Sequence, residues 1–173
     1  MVVILLGYMT SGKSTIGKVL AQKLDYVFLD LDTYIEKREA MNVANIFKTK
    51  GEIYFRKLES IYLQEIISSY QNTVLALGGG TPCYANNMEV ILKLKKVTSI
   101  YLKVSLHELV DRLEKEKHQR PLVSHLKTKN EILEFVGKHL FERSNYYNQA
   151  NLVIDTDDKS VDEIIEDIII QLF

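Results

Sequence analysis

Residues 7–14 read Gly7-Tyr8-Met9-Thr10-Ser11-Gly12-Lys13-Ser14 and stand directly between an apolar run, residues 2–6, and an amphipathic helical pattern. This G-x-x-x-x-G-K-S string in a strand–loop–helix setting is a complete phosphate-binding loop. Its glycines let the backbone curl so that successive N–H groups face phosphate oxygens, and the positive end of the following helix adds to that field. Lys13 is placed to reach the β- and γ-phosphates, and the Ser14 hydroxyl to ligate Mg²⁺. The loop therefore predicts binding of a nucleoside triphosphate. It also restricts the fold to those that mount such a loop at the end of a strand.

The rest of the chain repeats the same alternation of apolar runs and helical patterns. Strands are predicted at 2–6, 26–29, 73–77, 97–102 and 152–154. Helices are predicted at 12–24, 33–40, 43–50 and 52–69, with a short one around Met88, Ile91 and Leu92. Three later helices begin with a hydroxyl residue and a Glu three positions on, the capping-box form: Ser105/Glu108, Thr128/Glu131 and Ser160/Glu163. Behind the last, Val161, Ile164, Ile165, Ile168, Ile169 and Leu172 form one helical stripe. Repeated β–α units with near-continuous apolar strands indicate an α/β fold, a parallel sheet covered by helices on both faces. In such sheets ligands bind beyond the carboxyl ends of the strands. Gly7–Ser14, Asp30–Asp32 and Gly78–Gly80 all fall at such ends, so they are expected to share one cleft.

The bulk properties narrow the class without choosing the chemistry. At 173 residues the chain is expected to be one domain, and its 46% hydrophobic and 26% charged content is that of a globular protein. A net charge of -1 leaves no electrostatic footprint for nucleic acid or an anionic membrane. Four His and the single Cys83 supply no structural zinc cluster and no internal disulfide, which suits a reducing cytoplasm. The first apolar run is too short for a signal peptide or membrane span.

Phosphoryl transfer needs a second anchor for Mg²⁺, an acceptor for the nucleophile's proton and a grip on the acceptor substrate. Asp30 and Asp32 are each suited to anchor or base, and either alone would also serve as the N-cap of the next helix. Arg56 and Arg143 are candidate anion grips, although Arg56 has ordinary helical ion-pair partners in Glu52 and Glu59. The triple glycine allows a backbone to approach a ligand closely, or makes a tight turn. From Glu114 to Lys127 the helical pattern breaks into charged residues and Arg120-Pro121. That stretch reads either as a solvated loop or as a lid carrying an arginine over the phosphates.

Taken in order and spacing, Gly7–Thr15, Asp30-x-Asp32, Gly51-Glu52-x-x-Phe55-Arg56-x-x-Glu59, Gly78-Gly79-Gly80, Arg120-Pro121-Leu122 and Arg143-x-x-Tyr146 resemble the shikimate kinases. The resemblance runs from Val2 to about Asp158. It implies ATP-dependent phosphorylation of the 3-hydroxyl of shikimate, a step toward aromatic amino acids. The implied fold is a three-layer α/β/α P-loop kinase with a five-stranded parallel sheet in the order 2-3-1-4-5. It also implies a substrate-binding helical segment at about 32–60 and a lid at about 114–127.

Position by position, the resemblance assigns Thr10, Ser11, Gly12, Lys13, Ser14, Thr15, Arg112 and Arg120 to ATP, with Arg112 against the adenine and Arg120 in the lid. Ser14 would hold Mg²⁺, with Asp30 reaching it through water. Asp32 would bind the substrate hydroxyls and accept the proton of the attacking one. Arg56 and Arg143 would hold the substrate carboxylate, with Gly78, Gly79 and Gly80 lining the pocket. Lys13, Asp32 and Arg120 form the expected catalytic set. Only the small-molecule substrates are expected as partners, and the chain is expected to be monomeric.

Two departures stand out: Thr10 where the family usually has glycine, and Leu77 where a threonine commonly precedes the triple glycine. The stretch from Arg112 to Arg120 is also about a residue longer than in many members of the family. The rival readings are a kinase of the same architecture for another small molecule, such as gluconate or a nucleoside monophosphate, and a nucleotide-binding module without catalysis.

Overall fold

The apolar runs become strands because both faces of each are covered. A computed structural model describes residues 1–116 and 123–173. In it β1 (Val2–Leu6) is buried at every position. Such a strand needs no polar alternation. Val2, Ile4 and Leu6 point into one core cluster, and Val3 and Leu5 into a second on the opposite face.

The elements that follow β1 are α1 (Lys13–Leu24), β2 (Val27–Asp30), α2 (Leu31–Glu39), α3 (Val43–Lys50) and α4 (Glu52–Ser69). Next come β3 (Thr73–Ala76), a 3₁₀ turn at Thr81–Cys83, α5 (Asn87–Lys93) and β4 (Val97–Lys103). The chain ends with α6 (Leu106–Glu116), α7 (Lys129–Tyr147), β5 (Leu152–Asp155) and α8 (Val161–Leu172). The five strands pair in parallel in the order β2-β3-β1-β4-β5, as the resemblance implied.

Ile16 and Leu20 of α1 and Ile164, Ile165 and Ile168 of α8 fill one face. Leu63 and Ile66 of α4, Leu109 of α6 and Val136 of α7 fill the other. Each such Leu or Ile, fully buried, is worth roughly 1.5–3 kcal/mol. The predicted α8 stripe is the one that packs, whereas Ile170, off the stripe, is 76% exposed.

Two local expectations are corrected. The second strand and its helix were expected at 26–29 and 33–40, but β2 runs to Asp30 and α2 starts at Leu31 with no linker. The cause is Asp30, whose carboxylate accepts from the Thr33 N–H at 3.2 Å and so caps the helix. Asp32 therefore lies inside the first helical turn.

The second correction concerns the capping boxes. Those at Thr128 and Ser160 are complete. At Ser105 only half forms: the Ser105 hydroxyl accepts from Glu108 N–H, but the Ser105 N–H donates to Asp157 from the loop after β5. Glu108 turns instead to Arg112, one helical turn along, at 2.8 Å.

Parallel pairing brings all carboxyl ends to one edge of the sheet. The phosphate loop follows β1, Asp30 closes β2, and Gly78–Gly80 follow β3 with one intervening residue, Leu77.

Candidate active site

Gly12 takes a left-handed conformation (φ 89°) just before α1, and no side chain caps the helix. The first N–H groups of α1 are thus left to an external anion. Lys13 lies back over the loop, its ammonium donating to the carbonyls of Gly7 at 2.9 Å and Tyr8 at 2.8 Å. Ser11 is buried, while Ser14 and Thr15 are exposed.

Thr10 answers the question its presence raised. Its φ of 62° is the left-handed value that a glycine would adopt more easily. The hydroxyl folds onto the Met9 carbonyl at 2.6 Å, and its own carbonyl accepts from Arg112 Nη1 at 3.1 Å. Threonine thus occupies the loop at the cost of a strained backbone.

The two aspartates have separate environments. Asp30 uses Oδ1 to cap α2 and Oδ2 to accept from the Ser14 hydroxyl at 3.0 Å. Capping and contact with Ser14, the serine expected to hold Mg²⁺, are therefore not alternatives. Hydroxyl and carboxylate oxygens fit Mg²⁺, which keeps several waters and binds through one or two such groups plus substrate phosphates. The described residues contain no group of three or more His, Cys, Asp or Glu that could hold a metal ion.

Asp32 is half-buried, but its Oδ1 is sealed from solvent without a hydrogen-bond partner. Burial pushes its carboxyl up to about 6, with the charges of Asp30 and Glu59 adding and Lys13 opposing.

The glycine triplet admits the side chains around it by having none of its own. A Cβ on Gly80 would stand 2.7 Å from Arg56 Nη1, and one on Gly78 would crowd Glu59, Thr81 and Asp32. One on Gly79 would come within 3.5 Å of Arg143 Nη1. Close approach is therefore the operative meaning of these residues.

Arg56 is pinned by Glu59 at 2.6 Å and Glu52 at 3.2 Å, and it stacks over the Tyr84 ring at 4.3 Å. Glu59 is 1% exposed and also accepts from the Thr81 hydroxyl at 2.5 Å. The helical ion pairs expected of Arg56 thus exist, and they aim it at the triplet. Leu77 is buried in the core.

Sequence reasoning missed three contributors. Glu59 was read as an ordinary partner rather than a buried anchor. Tyr8 was read only as a loop residue, yet its ring lies under Arg143 with the guanidinium 5.5 Å from its centroid. The sequence motif named Tyr146, which is exposed, but the tyrosine that reaches the site is Tyr147, whose hydroxyl donates to Gly79 O at 2.5 Å. A spacing of four from Arg143 was the available signal, since it returns to the same helix face. Arg120 lies outside the described residues. Cys83, half-buried beside the triplet, has its thiol pushed up to about 11 by burial.

The arrangement joins a triphosphate loop to a hydroxyl–carboxylate pair, a second carboxylate and two guanidinium groups across a glycine wall. The family model for shikimate kinase matches residues 9–173. The chain is 46% identical to the shikimate kinase of Flavobacterium johnsoniae over 96% of both proteins. Its structure is similar to a crystal structure of shikimate kinase from Bacteroides thetaiotaomicron, with TM-score 0.90, 34% identity and 99% and 98% of the two chains covered. It is also similar to a shikimate kinase from Acinetobacter baumannii in complex with shikimate, with TM-score 0.84, 29% identity and 99% and 92% covered. No helix among the described residues is long and apolar enough to cross a membrane.

Proposed function

The chain belongs to the shikimate kinase family and is an ATP-dependent kinase of shikimate, and we propose how its own residues divide that reaction. The carrying observation is the position of Asp32: its unpartnered Oδ1 lies against Gly78 of the glycine wall, beside Glu59, the partner of Arg56.

The loop N–H groups, with Ser11, Gly12, Thr15 and the Lys13 ammonium, hold the β- and γ-phosphates of ATP. Mg²⁺, when bound, would neutralise charge on the β- and γ-oxygens, held by Ser14 Oγ and through water by Asp30 Oδ2. Arg112, tied to the Thr10 carbonyl, flanks the nucleotide side. Arg56 and Arg143 grip the shikimate carboxylate from two sides of the triplet, each as a charge-assisted pair worth roughly 1.5–3 kcal/mol. The ring hydroxyls then face Asp32.

The 3-hydroxyl oxygen forms a bond to the γ-phosphorus as the bond from that phosphorus to the β–γ bridging oxygen breaks, releasing ADP. The hydroxyl proton passes to Asp32. A carboxyl raised toward neutrality is ionised at pH 7 yet basic enough to take that proton. Arg120 completes the catalytic set on the strength of the sequence resemblance, as positive charge over the moving phosphoryl group. The single unit of 173 residues is proposed to act as a monomer.

A coupled ADP-release assay with ATP, Mg²⁺ and a panel of shikimate, quinate, gluconate and AMP tests the acceptor. Turnover with shikimate is expected, and none from a folded protein would sink the reading. Arg56→Ala should raise the shikimate KM by roughly 10- to 100-fold, the loss of one charge-assisted pair. Equal increases in the shikimate and ATP KM would make Arg56 a structural residue.

A further inference from the structure

Four residues of α7 spaced by four, Phe135, His139, Arg143 and Tyr147, fall on one helix face. The last reaches Gly79 O, and Arg143 Nη1 lies beside the same glycine. His139 Nδ1 meets the Tyr8 hydroxyl at 3.3 Å, and the Phe135 ring packs edge-on against His139 at 4.2 Å. The Tyr8 ring, 1% exposed, thus has the Arg143 guanidinium over its face and a side chain from the previous helical turn at its hydroxyl.

A guanidinium over an aromatic face is attracted by the ring quadrupole, more strongly where water is excluded. Arg143 has no carboxylate partner among the salt bridges of the described residues, unlike Arg56 with Glu52 and Glu59. Its orientation is therefore set by the Tyr8 ring and the neutral Tyr147 hydroxyl rather than by a competing anion, which leaves its charge to an external carboxylate.

We infer that Tyr8 is a positioning residue for the acceptor substrate: its ring, steadied by His139, holds Arg143 at the angle from which it grips the substrate carboxylate. The inference rests on the reading of Arg143 as a carboxylate arginine. It gives the second residue of the phosphate loop a task on the opposite side of the reaction. Its carbonyl holds the Lys13 ammonium while its side chain serves the acceptor. Burial, opposed by Arg143, pushes the Tyr8 hydroxyl up to about 12, so the phenol stays neutral. Burial and Arg143 together hold the His139 imidazole below its usual range, which keeps a second positive charge away from the guanidinium.

The test is steady-state kinetics on Tyr8→Leu, Tyr8→Phe, Arg143→Ala and the Tyr8→Leu/Arg143→Ala double variant. Tyr8→Leu should raise the shikimate KM about tenfold, equivalent to ~1.4 kcal/mol, while the ATP KM moves less than twofold. Tyr8→Phe keeps the ring and should stay within about twofold of the wild type. In the Arg143→Ala background, Tyr8→Leu should add less than twofold.

Parallel increases in both KM values, or penalties that multiply in the double variant, would overturn the inference and leave Tyr8 as packing. An unchanged shikimate KM in Tyr8→Leu, with a raised one in Arg143→Ala, overturns the inference alone. An unchanged shikimate KM in Arg143→Ala overturns the carboxylate reading and the inference with it. If circular dichroism finds Tyr8→Leu unfolded, Tyr8→Met, which fills the space without a ring face, is read by the same criteria.

Discussion

Removing the carboxylate of Glu59 should damage both the fold and the acceptor site, and the structure gives the size of each effect. Glu59 is 1% exposed and accepts two hydrogen bonds, from Arg56 Nη1 at 2.6 Å and from the fully buried Thr81 hydroxyl at 2.5 Å. Glu59→Ala leaves Thr81 without an acceptor and Arg56 with only the exposed Glu52 at 3.2 Å. Breaking a buried pair by removing one partner costs about 3–5 kcal/mol. For a chain of this size each kcal/mol corresponds to roughly 2–4 °C, so the melting temperature should fall by about 6–20 °C.

Glu59→Gln keeps one of the two acceptor oxygens in use: its O can face Arg56 while its NH2 turns to the Thr81 hydroxyl, which must then accept instead of donate, for a cost of roughly 1–3 kcal/mol. In both variants Arg56 gains freedom to leave the glycine wall. The shikimate KM should rise about tenfold or more in Glu59→Ala, a loss near the low end for one charge-assisted hydrogen bond. The ATP KM should hold. Thermal unfolding followed by circular dichroism, paired with kinetics on both substrates, measures the two effects. A Glu59→Ala protein as stable as the wild type, or an ATP KM that rises as far as the shikimate KM, would refute the anchoring argument.

Gly80→Ala places a methyl 2.7 Å from Arg56 Nη1, closer than contact allows, so the guanidinium must shift and the shikimate KM should rise with little change in the ATP KM. Wild-type kinetics for that variant would mean the wall has slack. Asp32→Asn should lower kcat by roughly 10²–10⁴-fold, the usual worth of a general base, and unchanged turnover would remove Asp32 from that role.

The same substitution has an opposite sign for stability. Because the folded chain holds the Asp32 proton up to about pH 6 and the unfolded chain releases it near 3.8, wild-type stability is lost as pH rises between those values. That difference is worth about 3 kcal/mol, reduced to roughly 2 by the half-open side of the residue. Without metal or substrate, Asp32→Asn should therefore be the more stable protein at pH 7 and no more stable near pH 4. A pH-independent difference in urea unfolding would contradict this.

Much of this was legible in the residues because the strands are buried on both sides and leave unbroken apolar runs. The bounds of α3 and α4 were readable to the residue because Gly51 punctuates them with a φ of 84° that other residues avoid. The phosphate loop was legible for the same local reason: its backbone course is written in its glycines.

Side-chain partnerships were not. Tyr8 and His139 lie 131 positions apart, Glu59 and Thr81 22, and Ser105 and Asp157 52. No local propensity selects such pairs, since they exist only after the sheet has brought its elements together. The Ser105 box shows the competition directly: a distant aspartate took the N–H that a local glutamate would have satisfied.

The sheet order also sets how the cleft is mounted. The phosphate loop follows β1, which has neighbours on both sides, whereas Asp30 ends and Asp32 follows β2, a margin strand bonded only to β3. A margin strand with one ladder is easier to displace than a central strand with two. On the proposed reading the phosphate loop is a fixed mount, whereas Asp32 and the Arg56 helix on the acceptor side follow the strand at the rim. Loading ATP should stiffen little that was loose, while loading shikimate should quieten amide exchange from β2 through α4.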